Sequence, residues 1–344
     1  MKKKLTCGIL MALWLAAMPA YAGDMDSITW LRGDYVGVGS IDMSKLAQRR
    51  IYTYLMDFFV TNNGARQALG EIRAAGINLE EILDRVVVGI PSDVERSEHV
   101  VLWETTQELT KYSSLLSPHS QVIDKRIYQG MEYFATRREN ECFAIIDNVF
   151  VLGSELRVRE VLDAHRAGYK DGPKNAELKA EMKRVDKTRD VWFVFALGDK
   201  EKKKLAKTDP ILDMSAAGVG VLKMSDIQKG NLSIDFSEGL KADANVKMVS
   251  PDSAKLSSSV IVAALADIKN DPDVKALGFD SFMNGLSFAA DSDDIHMTVT
   301  YTQAKFDELI VLFTQFAKSV SGQEAAPKKE LPVKPVAKDS DEPK

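Results

Sequence analysis

The sequence predicts an α+β fold of two similar halves, each a mostly antiparallel sheet with helices packed on one face. Three observations carry this expectation. Short apolar runs come in pairs separated by two-residue turns, a spacing that only antiparallel strands can bridge. Helix-period stretches follow these hairpins instead of separating every pair of strands. The order strand, turn, strand, helix also occurs twice, over residues 142–167 and over 286–320. The longer helical connections leave room for parallel pairing, so a mixed sheet is expected.

Residues 1–22 read as a cleaved export signal, not as structure. Lys2, Lys3 and Lys4 give a positive start, residues 8–17 are apolar, and Ala20-Tyr21-Ala22 offers the small–x–small pattern that places cleavage before Gly23. The apolar run is shorter than the ~18 residues of a spanning helix. Cys7 stands before that run, where a lipid-acceptor cysteine does not stand. The expected location is the periplasm.

The first half is expected over 23–170. Residues 36–41 form a short strand with Gly37 and Gly39 on one face. Asp42 or Ser44 caps a helix in which Met43, Ala47, Ile51, Tyr54, Leu55 and Phe58 form one stripe. A second helix reaches about Ala75, and Asn78 caps a short one over 79–83. Strands follow at 86–90 and 100–104. Gln129-Gly130 joins strands at 122–128 and 131–136, and Asp147-Asn148 joins 143–146 to 149–152. A helix over 155–167 closes the half, and Gly168 to Pro173 is the clearest break in the chain.

The second half, 171–320, repeats the order of elements. A polar helix at 174–184 precedes a buried-looking strand at 191–197, after which Asp199 opens a lysine-rich turn as Asp42 follows the first strand. Residues 217–224 and 232–236 are expected to form a hairpin, and 242–249 an alternating strand. Pro251 or Asp252 starts a helix with Leu256, Val260, Ala264, Leu265 and Ile268 on one side. The last helix carries Phe306, Leu309, Ile310, Phe313 and Ala317 at helical spacing. This recurrence suggests an internal duplication. Residues 321–344 mix four prolines with five lysines and five acidic residues, and too few apolar side chains remain to offset the entropy of ordering them. A disordered tail is expected.

Charge and cysteine use narrow the class. Loss of the three leader lysines takes the formal charge from -5 to -8. No basic stretch with interleaved aromatics marks a nucleic-acid surface, and the run from Lys200 to Lys204 reads as a solvated helix face. No stretch after residue 22 reaches membrane-spanning length. Cys142 is the single thiol after the leader, opens an apolar strand, and reads as a buried small hydrophobe.

No catalytic, cofactor or metal motif stands out. Gly37-Val38-Gly39 and Gly218-Val219-Gly220 lack the third glycine of a dinucleotide loop and instead mark close approach to a strand face. The sequence has no Gly-x-Ser-x-Gly, Ser-x-x-Lys, His-Glu-x-x-His or Cys-x-x-Cys. His99, His119 and His165 are scattered. His296 lies near Asp291, Asp293 and Asp294, residues that a hairpin turn also favours. Arg32-Gly33-Asp34 introduces the first strand, and residues 133–138 set aromatics beside paired arginines in the manner of a strand edge.

Two runs carry a resemblance. One is Leu79-Glu80-Glu81-Ile82-Leu83-Asp84-Arg85-Val86-Val87-Val88-Gly89, and the other is Phe150-Val151-Leu152-Gly153-Ser154 leading into a helix. Over about residues 30–320 the chain resembles uncharacterised exported bacterial proteins with duplicated α+β halves. That resemblance assigns no activity and no site residue. The reading is a non-enzymatic envelope protein that binds a protein or envelope component. Two alternatives stand beside it: a hydrophobic-ligand carrier, and a hydrolase with dispersed catalytic groups.

Overall fold

The computed structural model describes residues 26–54, 79–92, 99–109, 123–136, 141–208, 211–276 and 279–320. The export signal with Ala20, Ala22 and Gly23, the helical stretch expected over 55–78, His119 and the charged tail all lie outside the described residues.

The strands are β1 (Tyr35–Asp42), β2 (Leu83–Pro91), β3 (Val100–Thr105), β4 (Ile123–Tyr128), β5 (Met131–Thr136), β6 (Glu141–Ile146) and β7 (Val149–Ser154), then β8 (Val191–Ala196), β9 (Leu212–Asp213), β10 (Val221–Leu222), β11 (Ile227–Asp235), β12 (Gly239–Met248), β13 (Leu286–Asp291) and β14 (Asp294–Thr302). The helices are α1 (Met43–Leu46), α2 (Leu79–Ile82), α3 (Glu155–Arg166), α4 (Ala176–Arg184), α5 (Asp199–Leu205), α6 (Pro251–Asn270), α7 (Pro272–Ala276) and α8 (Gln303–Val320). Side-chain caps start the longer ones. Ser154 accepts from the Arg157 N–H, Asn175 from Glu177 and Leu178, and Ser250 from Ser253 just ahead of Pro251 in the first turn.

The class is α+β with a large antiparallel sheet. Twelve strands form that sheet in the order β13-β14-β12-β11-β8-β1-β2-β3-β7-β6-β5-β4, with β9 and β10 as a separate ribbon. Every pairing is antiparallel, so the mixed sheet expected from the long connections is not seen. Even the long excursion from β1 returns its chain as an antiparallel neighbour.

One sheet runs through both arms of the chain. Its centre is the β1–β8 pair, with Gly39 opposite Phe193. Counted outward from this seam, β1, β2, β3, β7, β6 run one way and β8, β11, β12, β14, β13 the other, the same order of use in each direction. The β5–β4 hairpin adds to the first arm alone. The break at Gly168 to Pro173 links α3 to α4 and is tied back to the first arm, since the Gly172 N–H donates to the Thr29 carbonyl at 3.2 Å.

Helices lie on both faces of the sheet. The side chains of β8 show why: Trp192, Val194 and Ala196 point one way and Phe193 and Phe195 the other, so both faces of the central strands are apolar and both need cover. α3 and α4 cover the first face, where Val38, Val87, Val151, Val158, Val161, Leu162 and Val194 form the larger core. α1 and α8 bury Met43, Leu46 and Phe306 on the second face with Trp103, Val101 and Tyr301.

Three expectations change in detail. The helix expected from Met43 is interrupted at 47–49 before residues 50–54 continue it. Residues 217–224 do not pair with 232–236; β11 pairs with β12 instead, and β10 with β9. On α6 the buried stripe is Ala254, Ser257, Val260 and Ala264, which leaves Leu256 and Ile268 exposed. Small residues let this helix approach the sheet closely, which rotates the larger ones outward.

Candidate functional site

The second face carries a straight apolar row across the sheet. Following the registers, Phe134 lies opposite Phe143, then Leu152, Val101, Val88 and Gly39 on successive strands. Beyond the seam the row continues through Phe193, Leu232, Ala244, Met297 and Phe288. Only at β4 does a charge, Lys125, enter it. Directly opposed residues on neighbouring strands point to the same side, so register alone assembles this surface.

Glycines shape its middle. A Cβ on Gly37 would stand 2.9 Å from the Phe193 ring, one on Gly39 2.8 Å from it, and one on Gly230 2.8 Å from the Phe195 ring. The two phenylalanines therefore lie down on bare backbone. The close approach read from the paired glycines of β1 is real, and what approaches is an aromatic ring. The sequence signal for Phe193 and Phe195 was present in those glycines, but the strand that supplies the rings stands far along the chain.

Cover is unequal on the two sides of the same central strands. On the first face Val38, Val87 and Val194 are all 0% exposed. On the second, Phe193, Phe195, Val88, Ile90, Leu152 and Leu232 remain partly exposed. Toward the β4 side of the row, Phe134, Phe143, Phe150 and Trp103 stack on one another at 4.9–5.4 Å between ring centres. Trp103, Phe134 and Phe143 are buried, so the open part of the floor is Phe193, Phe195 and their neighbours, which offer dispersion and desolvation to an apolar guest and no group for acid–base chemistry.

The neighbouring row on the first face turns polar past the seam. Val194 is followed by Asn231, Asn245 and His296. Asn231 Nδ2 donates to Glu181 Oε2 at 2.9 Å, Asn245 Nδ2 donates to Asn231 Oδ1 at 3.2 Å, and His296 Nδ1 bonds Asn245 Oδ1. Glu181, 1% exposed, is paired with Lys229 at 3.3 Å and Arg184 at 3.2 Å. This chain anchors α4 to the second arm.

The residues singled out in the sequence do not converge. His296 turns to Asn245, while Asp293 pairs with Lys247 at 2.7 Å in the β13–β14 turn. Among the described residues no group of three or more His, Cys, Asp or Glu is arranged to hold a metal ion. His165 stands edge-on to Trp30 and 3.9 Å from Asp147. Cys142 is buried, and that burial together with the Glu155 carboxylate pushes its thiol up. Tyr133 donates to Glu155 at 2.6 Å, Arg126 donates to it at 2.8 Å, and Arg159 bonds both Glu155 and Tyr133. Arg32 lies over the Tyr169 ring, and Gly33 fits beneath Glu160 and Arg157 where a Cβ would not.

No family model matches the chain, and no curated protein matches it. Solved structures of TP0453 are similar: crystal form I at 8% identity and a TM-score of 0.45, covering 86% of this chain and 99% of that one. Crystal form IV gives 9% identity, a TM-score of 0.47, and coverage of 85% and 97%. At that distance the likeness carries nothing about function. Among the described residues no helix is long and apolar enough to cross a membrane.

Proposed function

We propose that this chain is a non-enzymatic binding protein of the bacterial envelope, exported to the periplasm, which takes the apolar part of a protein or envelope component on its phenylalanine row. The observation that carries the reading is the unequal cover of the central strands. One face is sealed, while Phe193 and Phe195 on the other stay partly open over a glycine floor. The leader-like residues 1–22 support export. The matching strand order of the two arms supports an internal duplication.

A small hydrophobic ligand is the second reading, favoured by the partly exposed Phe193 and Phe195 rings over bare glycine backbone, which suit a flat or flexible apolar molecule. Native mass spectrometry of the protein released gently from its own periplasm tests both. Extra mass of a few hundred daltons supports the ligand reading, and a discrete protein complex the first. Phe193→Ala with Phe195→Ala should release either guest. A guest that survives this double substitution, or a bare chain, sinks the assignment to this face.

A further inference from the structure

We propose that β13 is a docking edge for a second copy of this chain, which pairs antiparallel to it about a twofold axis at Phe288. Among the described residues β13 has one neighbouring strand, β14. In the first arm the strand at the same place, β6, is closed on its outer side by β5, with Phe134 opposite Phe143. The two hairpins correspond closely. Each has a two-residue turn whose first residue has positive φ, Asp147 at 52° and Ser292 at 54°. What the β5–β4 hairpin covers in one arm has no counterpart among the described residues of the other.

The turn also fixes which backbone groups face outward. With two residues in the turn, Asp291 and Asp294 form the closing hydrogen-bonded pair, and pairing alternates from there. Leu286, Phe288 and Ala290 therefore direct their N–H and C=O groups away from β14. Natural sheets guard such edges with charge, proline or a bulge. The opposite edge, β4, carries Asp124, Lys125 and Arg126. β13 reads Leu-Ser-Phe-Ala-Ala-Asp, pairs without a register shift, and holds its one charge beside the turn.

The edge suits itself. A twofold at Phe288 sets that residue opposite its own copy, Leu286 opposite Ala290, and Asp291 opposite Gly285. The two Phe288 rings then meet across the axis, each flanked by a Leu286–Ala290 pair, and no carboxylates face each other. Phe288 ends the apolar row, so the pairing continues that row into the second copy. α6 packs on β13. Docking of β13 onto β4 of another copy would set an apolar edge against a charged one, whereas the twofold contact pairs like with like and closes at two chains.

The test is the solution mass of the protein purified after export from a host expressing the whole precursor, by light scattering across a dilution series. Two variants accompany it. Ala290→Pro removes an outward N–H while sparing the bonds to β14. Ser287→Cys with Ala289→Cys sets one exposed thiol of each copy opposite the other in the proposed register. A mass of two chains that Ala290→Pro halves, together with a disulfide-linked dimer from the cysteine pair, supports the proposal. If Ala290→Pro fails to fold, the cysteine pair decides alone. A single-chain mass throughout, no cross-link, or a bound polypeptide of different mass overturns it. None of these readouts depends on a guest at the phenylalanine floor.

Discussion

The ring of Phe193 rests on Gly39. A Cβ at that glycine would stand 2.8 Å from ring atom Cδ2 and 3.2 Å from the Trp192 carbonyl oxygen, and the latter is backbone that cannot step aside. Gly39→Ala should therefore cost about 1–3 kcal/mol, the usual range for overpacking a core position. Urea unfolding measures it. In a Phe193→Ala background the ring's part of that cost should vanish and only the carbonyl's part remain, so the penalty should be smaller. Equal costs in both backgrounds would show that Phe193 is not what the glycine accommodates.

Asp190 sits at the seam, 1% exposed, where it accepts from Arg49 at 3.2 Å and from the Phe236 N–H at 2.6 Å. Asp190→Ala leaves a guanidinium and a half-buried amide without their acceptor. A loss of about 3–5 kcal/mol is expected, as for breaking a buried ion pair from one side. A loss within the ~1 kcal/mol of exposed pairs would mean that solvent replaces the carboxylate there.

Glu155 gives the first arm an acid-sensitive contact. The Tyr133 hydroxyl, with Arg159 and Arg126, holds its carboxyl below the usual carboxylate range. A depressed folded-state value means stability that is present above the unfolded pKa of about 4.3 and lost as pH falls through the lower folded value. The side chain is 36% exposed, so solvent screens much of the effect. Glu155→Gln should make the acid limb of a stability–pH curve shallower and leave its neutral limb parallel to the parent. An unchanged acid limb would rule this carboxylate out as a contributor.

Cys142 is 2% exposed with a thiol pushed up by burial and by Glu155. Reaction of the native protein with a disulfide reagent at neutral pH should proceed no faster than the strand opens, and should become immediate in denaturant. Rapid labelling of the folded chain would revive Cys142 as a reactive thiol.

Three of the hairpins were legible because their signals are local. Gln129-Gly130, Asp147-Asn148 and the turn before Asp294 all stand between strands as expected, and Gln129, Asp147 and Ser292 take the positive φ that primed turns require. The α+β class follows from them. The seam was not legible: nothing near Gly39 names Phe193 as its partner. The run Val-Trp-Phe-Val-Phe-Ala is apolar at every position, so its two faces cannot be told apart by periodicity. The floor needed both facts, and only the glycines of β1 hinted at it. His296 misled for the opposite reason, since closeness in sequence to three aspartates says nothing about the strand across from it.

The seam also sets a timetable. A ribosome delivers residue 39 long before residue 193, and each hairpin of the first arm can zip as soon as it emerges. β1 cannot. Until β8 arrives, its free side stays unpaired, lined by Val36, Val38, Ile41 and two glycines that offer almost no steric guard against a stray strand. The pairing that joins the two arms is thus the strand pairing of longest sequence separation among the described residues, the kind that loop closure makes slow to form. A chain truncated before residue 191 should be sticky where the whole protein is not, and holding the nascent chain apart from its neighbours matters most in that interval.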